Sequence, residues 1–184
     1  MTDYDIVRLF NDRSESAISE TDMSYGSYLR YISYEILRND QDCEEIVNDT
    51  YHKAWESIPP NQPESLKNYL AKIVRRLSIN RLEFNLAQKR GGGQYELILD
   101  ELISCIPESH EDTADSMVIK DVINDFLKSL SDTKRRVFVR RYWYLSPISE
   151  IAADFSMSEG RVKMILMRLR NDLKKKLEKE GITV

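Results

Sequence analysis

Residues 146–177 read SPISEIAADFSMSEGRVKMILMRLRNDLKKKL, and the fold turns on how this stretch is parsed. Ser146 before Pro147 predicts a helix start, since Ser can cap free amides and Pro needs no amide partner at the first helical position. Ile148, Ile151, Ala152 and Phe155 give that helix one apolar face. Ser156, Met157 and Ser158 break the pattern, and Ser158 can cap a second helix with the stripe Val162, Leu166, Leu169, Leu173 and Leu177. A short helix therefore meets a longer one across a three-residue turn. Arg161, Lys163, Met164, Met167 and Arg168 lie off the stripe and leave a partly cationic surface of the size that enters a DNA major groove. Solvated amphipathic helices look the same, so pattern alone does not settle the use of this one.

Charge is segregated along the 184 residues. Residues 1–65 carry 5 Lys/Arg against 14 Asp/Glu, net −9, and residues 66–90 carry 7 against 1, net +6. Residues 91–119 carry none against 7, net −7, and residues 120–184 carry 15 against 9, net +6, so the whole chain stands at −4. Counterion release depends on local charge, each neutralised phosphate adding ~0.9 to the salt slope. An acidic chain with two basic blocks can thus bind DNA locally, and its modest total favours a protein presented to DNA by something larger. Solvated helix faces would account for either block singly.

Cys43 and Cys105 are too few and too far apart for a disulfide framework or a zinc site, and the histidines are His52 and His110. A reducing cytoplasm is the expected location. No apolar run approaches ~18 residues and the N-terminus is not signal-like, so membrane insertion and export are not expected. No metal, cofactor or small-molecule substrate is implied.

Along the chain, Ile6, Val7, Leu9 and Phe10 predict one short helical turn or two. From Met23, the positions Tyr25, Tyr28, Leu29, Ile32, Ile36 and Leu37 predict a helix of roughly 15 residues. Asn39 or Asp40 caps the next, with Asp42, Glu44 and Glu45 at the positive end of its dipole. Its inward residues are Cys43, Ile46, Val47, Thr50, Ala54 and Ile58, and Asn48, Asp49, His52, Lys53 and Glu56 lie outside. Pro59, Pro60 and Pro63 define a stiff loop from Ser57 to Ser65.

The helix after that loop has Leu66, Tyr69, Leu70, Ile73, Val74, Leu77 and Leu82 as its core side, and Lys67, Lys72, Arg75, Arg76, Asn80 and Arg81 crowd the remainder. That density of cations beside a rigid loop suits a single-stranded nucleic-acid track. Gly91 to Gly93 end it. The acidic stretch to Ala114 reads as a 24-residue linker whose span as a flexible coil is ~25–30 Å. Beyond it, Met117, Ile119, Val122, Ile123, Phe126, Leu127 and Leu130 predict one helix. Ser131 or Asp132 caps another, with Val137, Phe138, Tyr142 and Leu145 inward and Lys134, Arg135, Arg136, Arg140 and Arg141 outward.

Two motifs together carry a resemblance. The segment DQDCEEIVNDTYHKAW, Asp40 to Trp55, resembles the acidic second-region helix of sigma-70 family factors, written D-x-x-D-A-E-D-[IV]-V-Q-[ED]-T-F-x-x-[AL]-W. The segment from Ser129 to Leu177 resembles their fourth region, and the order of the two is that of the two-domain extracytoplasmic-function group. The resemblance implies an all-α fold of two small helical domains joined by an acidic linker, the C-terminal one a four-helix domain with a helix-turn-helix. The expected boundaries are 1–90, 91–114 and 115–184.

The same resemblance implies an alternative sigma factor, not an enzyme, whose partners are core RNA polymerase and promoter DNA, with an anti-sigma factor left open. By matching positions, it puts Asn48, Asp49, Thr50 and Lys53 on the polymerase clamp. Lys72, Arg75, Arg76 and Asn80, with the loop from Ser57 to Lys67, would hold the melted −10 strand and a flipped base. Arg161, Lys163, Met164, Met167 and Arg168 would read the −35 duplex. The chain departs from the family in having Ser156 where Gly is usual, Arg76 where Asn is frequent and Tyr69 where Trp is frequent. A strained or reshaped turn at Ser156 is expected.

Two other readings compete. A stand-alone helix-turn-helix regulator would bind a palindromic operator without polymerase, but its receiver or ligand domain needs strands, and the N-terminal half is helix-patterned throughout. A recombinase or nuclease needs a nucleophile or a metal cluster, and Asp40, Asp42, Glu44 and Glu45 are better explained as first-turn acids.

Overall fold

The helices that follow Thr2 and Asn39 in the first unit begin where the sequence supplies a side-chain cap. The computed structural model describes residues 1–88, 98, 101 and 114–180, and these form helices without a strand. The chain divides into two compact units, Met1–Gly91 and Gly92–Val184.

Helix α1, Asp3–Asn11, is closed by a capping box: the Thr2 hydroxyl accepts from the Asp5 amide, and the Asp5 carboxylate accepts from the Thr2 amide. That carboxyl is held below its ordinary pKa by the Thr2 hydroxyl and amide. Ile6, Val7 and Phe10 are buried, so the short turn expected here is a full amphipathic helix. Arg13, with φ 53°, ends it in left-handed geometry, and the Ser14 amide reaches back to the Leu9 carbonyl. Helix α2 then runs from Ser16 to Leu37, starting seven residues before the expected Met23. Its first turns are polar but bury Ala17 and Thr21, whose hydroxyl donates to the Ala17 carbonyl.

Asn39 caps helix α3, Asp40–Ser57, by accepting from the Asp42 amide at 2.9 Å. All six residues expected to face inward on it are buried or close the helix against the core. Helix α4, Leu66–Gln88, buries Leu66, Leu70, Ile73, Val74 and Leu82, with Tyr69 and Leu77 half-buried. Helices α2, α3 and α4 pack on one another, and α1 lies against α2 and α4. Ser33 and Ser78 meet by their hydroxyls at 3.1 Å inside this core, Ser78 also donating to the Val74 carbonyl, which satisfies both where no water reaches.

The second unit contains α5 (Ala114–Ser129), α6 (Asp132–Tyr142), α7 (Ile148–Asp154) and α8 (Glu159–Lys179) among the described residues. Arg135 turns back to donate to the Leu127 and Leu130 carbonyls, each at 2.9 Å, and so closes the end of α5 rather than facing solvent. Phe126, Phe138 and Tyr142 form an aromatic row, with centroids 5.8 Å and 4.7 Å apart. Val162, Leu166, Leu169, Leu173 and Leu177 of α8 are all buried, and α8 packs against α5, α6 and α7. At about 1.5–3 kcal/mol per fully buried aliphatic side chain, this stripe is a large apolar contribution to the unit.

Two further residues of this unit, besides Arg135, correct the sequence reading. Ser146 does not cap α7: its side chain is buried, its Oγ has no hydrogen-bond partner, and the helix begins one residue after Pro147. Arg141, expected outside with its neighbours, is only 7% exposed. Its guanidinium donates to the Ser146 carbonyl at 3.3 Å and to Glu101 at 3.2 Å. Arg170 donates to the same Glu101 and to the Tyr142 hydroxyl. Glu101 belongs to the stretch read as a linker, and Ile98 nearby in sequence is buried; the rest of that stretch before Ala114 lies outside the described residues.

Candidate nucleic-acid interface

In the second unit the candidate surface follows from how α7 stops. The Met157 amide bonds the Ala152 carbonyl at 2.8 Å and the Ser156 amide bonds the Ala153 carbonyl at 3.2 Å, with Ser156 at φ 50°. This is the double backbone closure that normally uses Gly at the left-handed position, here made by Ser. The strain expected at Ser156 is therefore present, and the turn is not reshaped around it. Ser158 then caps α8 by accepting from the Arg161 amide at 3.3 Å.

Because the leucine stripe points into the unit, Arg161, Lys163, Met164, Met167 and Arg168 are all exposed on the far side of α8. Met164 and Met167 keep 44% and 42% of their surface in solvent, an uncommon placement for large apolar side chains. Lys163 lies 4.0 Å from Glu159 one turn earlier, a contact that an approaching phosphate can replace. Arg136 lies over the Phe155 ring at 5.1 Å, and Arg140 pairs with Asp154, which ties α6 to the short helix α7.

In the first unit, Lys72, Arg76 and Asn80 recur every fourth residue on α4 and are exposed. Arg75 is half-buried, and burial pushes its guanidinium below its ordinary pKa, though an arginine so shifted keeps its charge. Lys67 at the start of α4 sits over the Tyr28 ring at 4.7 Å. Arg81 is committed elsewhere: it forks onto Glu45 and reaches Asp42, joining α4 to α3.

On α3, Asn48, Asp49 and Lys53 are exposed, with Lys53 bonded to Glu56 at 2.7 Å. Thr50 is not with them. It is fully buried and donates to the Ile46 carbonyl at 2.8 Å, so it is a core residue and not a surface contact. With Ile46, Val47, Tyr51 and Ala54 it lies on the buried side of α3, as the helical period dictates.

Residues 58–65 connect α3 to α4. Within the loop, the Asn61 amide bonds the Ser57 carbonyl at 3.0 Å, and the Tyr69 hydroxyl bridges Ser57 Oγ at 2.7 Å and Asn61 Nδ2 at 3.2 Å. Sequence reasoning missed that α1 borders this loop. A cleft of about 350 Å³ opens between them, lined by Tyr4, Arg8, Asn11, Gln62, Pro63 and Glu64. The available signal was Thr2 and Asp5 at capping-box spacing ahead of Ile6 and Phe10. Among the described residues no cluster of His, Cys, Asp and Glu is arranged to hold a metal ion.

Comparison with known families matches residues 23–85 to sigma-70 region 2 and residues 126–175 to sigma-70 region 4, together more than half of the chain. The chain belongs to the sigma-70 family. Region 2 spans most of α2, all of α3 and α4 up to Asn85, and region 4 runs from the end of α5 through most of α8. The two lie in the order of the extracytoplasmic-function group, and with them the chain is a sigma factor of promoter recognition, in a family of non-enzymatic transcription factors. No curated protein is similar enough to count as a match. Among the described residues no helix is long and apolar enough to cross a membrane.

Proposed function

We propose that the chain binds core RNA polymerase and directs both recognition and melting of a promoter. Asn48, Asp49 and Lys53 on α3 form the surface offered to the polymerase clamp. Lys72, Arg75, Arg76 and Asn80 on α4, with the adjoining proline loop, hold the melted −10 strand. Arg161, Lys163, Met164, Met167 and Arg168 on α8 enter the major groove of the −35 element. In this reading the protein works in the cytoplasm, where polymerase and promoter are.

The observation that carries the reading is the exposure of all five α8 residues on one face while the alternate positions are buried. Arg and Lys on such a face take guanine edges or phosphates, and methionine supplies apolar contact to a thymine methyl. On α4 the chemistry differs. Taking a base out of the stack costs a few kcal/mol, which phosphate contacts and a pocket for the base must offset. A cationic row beside a braced loop offers both.

Reconstitution tests this directly. Core polymerase plus the chain should give promoter-dependent transcripts from genomic fragments that neither gives alone. Absence of transcripts together with absence of binding to core would overturn the proposal. Tight binding of duplex operator without polymerase would instead support a stand-alone regulator.

A further inference from the structure

Helix α1 lies ahead of the residues matched to region 2, yet side chains on it and just past its end touch the last turn of α3, the α3–α4 loop and the first residue of α4. At the entry, Arg13 just past the end of α1 donates to the Trp55 carbonyl and stacks on the Trp55 ring at 5.3 Å, with Phe10 edge-on to the same ring at 6.2 Å. In the middle, the Asn11 and Gln62 amides bond each other reciprocally, at 2.8 Å and 3.2 Å. At the exit, an Asp3 carboxylate oxygen accepts from the Leu66 amide at 2.9 Å, the first amide of α4, while its other oxygen accepts from the Tyr25 hydroxyl.

Each contact by itself is modest in water. Their distribution is the point. A loop held only in its middle keeps freedom where its flanking helices can shift, whereas holds on the last turn of α3, within the loop and on the first amide of α4 leave little to lose when a ligand is captured. Asp3 also places negative charge at the positive end of α4, the helix that carries Lys72 and Arg76, and so fixes where that helix begins.

We infer that α1 is a positioning element for the −10 loop, with Asp3, Asn11 and Arg13 as the positioning residues that pre-order residues 58–65 for capture of an unstacked base. This rests on the proposed role of the loop in holding the melted strand. None of the three needs to touch DNA, and each acts through Leu66, Gln62 or Trp55.

Two readouts on the full-length chain separate the inference from the reading beneath it. In hydrogen exchange, Asn11→Ala combined with Arg13→Ala should speed exchange of the 57–66 backbone by about tenfold while α2 and α3 keep their protection. Gln62→Ala, made from the loop side, should reproduce the middle part of that effect, and Arg13→Lys, which keeps a donor for Trp55, should restore the entry. In the holoenzyme, on a promoter fragment recovered by transcription of genomic fragments, the double variant should open DNA about tenfold more slowly. Affinity for a template pre-melted at −10 should fall in the same ratio, and assembly with core and binding of the −35 duplex should not change.

Unaltered exchange in 57–66 would overturn the inference, as would faster exchange with opening and pre-melted binding unaffected. A loss of assembly, opening and duplex binding in parallel would reduce α1 to a general stabiliser and also overturn it. If the wild-type holoenzyme opens no fragment, the promoter reading fails by itself, and the exchange experiment still decides whether α1 orders the loop.

Discussion

Arg81 on α4 forks onto Glu45 on α3, its two terminal nitrogens lying 3.0 Å and 2.5 Å from the two carboxylate oxygens. The pair is bidentate, the arrangement in which an arginine gains most from a carboxylate. It takes one cation out of the α4 surface and uses it to clamp α4 onto α3.

Acid should loosen this clamp. The Arg81 hydrogen bond and charge hold the Glu45 carboxyl below its ordinary pKa of 4.5. A carboxyl depressed in the folded state contributes stability above its unfolded pKa and loses it as pH falls through the folded value. The thermal stability of the first unit should therefore fall below about pH 4.5, and Glu45→Gln or Arg81→Ala should flatten that part of the profile. An unchanged acid limb in both variants would show that the clamp contributes nothing.

Ser156→Gly should stabilise the second unit. A side chain at φ 50° costs about 1 kcal/mol relative to Gly, partly offset by the greater freedom of Gly in the unfolded chain. The expected gain is about 0.5–1 kcal/mol, or several degrees in Tm for a domain of this size. Differential scanning calorimetry of the full-length chain would resolve it, and a lower Tm would contradict the strain assigned to this turn.

Glu101→Ala should destabilise the second unit by about 1–2 kcal/mol, because it strips a partner from the buried Arg141 while leaving the charge in place. The carboxylate is one-third exposed, which keeps the cost below that of a fully buried pair. Adding Arg141→Met should recover part of the loss, since the orphaned charge goes with it. Urea denaturation of the single and double variants measures the difference.

Arg168→Ala and Arg76→Ala should separate the two halves of promoter engagement. The first is expected to weaken holoenzyme binding to the upstream duplex about 10- to 100-fold if Arg168 reads a base, or to lower the salt slope by about one if it meets a phosphate. The second should leave that binding in place and slow strand opening, scored by permanganate reactivity. Equal loss of both steps in both variants would refute the division.

Much of this was legible without coordinates. The α8 stripe, the exposed cationic face opposite it and the inward residues of α3 follow from a single helical period, and the caps at Asn39 and Ser158 follow from local chemistry. At Thr50 two readings conflicted: the helical period turned it inward while the family resemblance put it on the polymerase clamp, and its burial sides with the period. Other features were not legible. The early start of α2 escaped notice because Ala17 and Thr21 are small and polar enough to read as surface.

What the sequence determined by itself is whatever depends on neighbours along the chain: the helical periods, the breaks after Leu37, at the prolines and at Ser156, and two blocks of positive charge. What only the tertiary structure decided are partnerships between residues far apart in sequence. Arg141 and Arg81 look alike in the sequence to Arg168 and Arg76, yet the first pair is spent on Glu101 and Glu45, 40 and 36 positions away in the chain. Asp3 at the N-terminus of α1 caps a helix 63 residues away. Periodicity reports which way a side chain points from its own helix. Which carboxylate or amide waits there depends on how the helices pack.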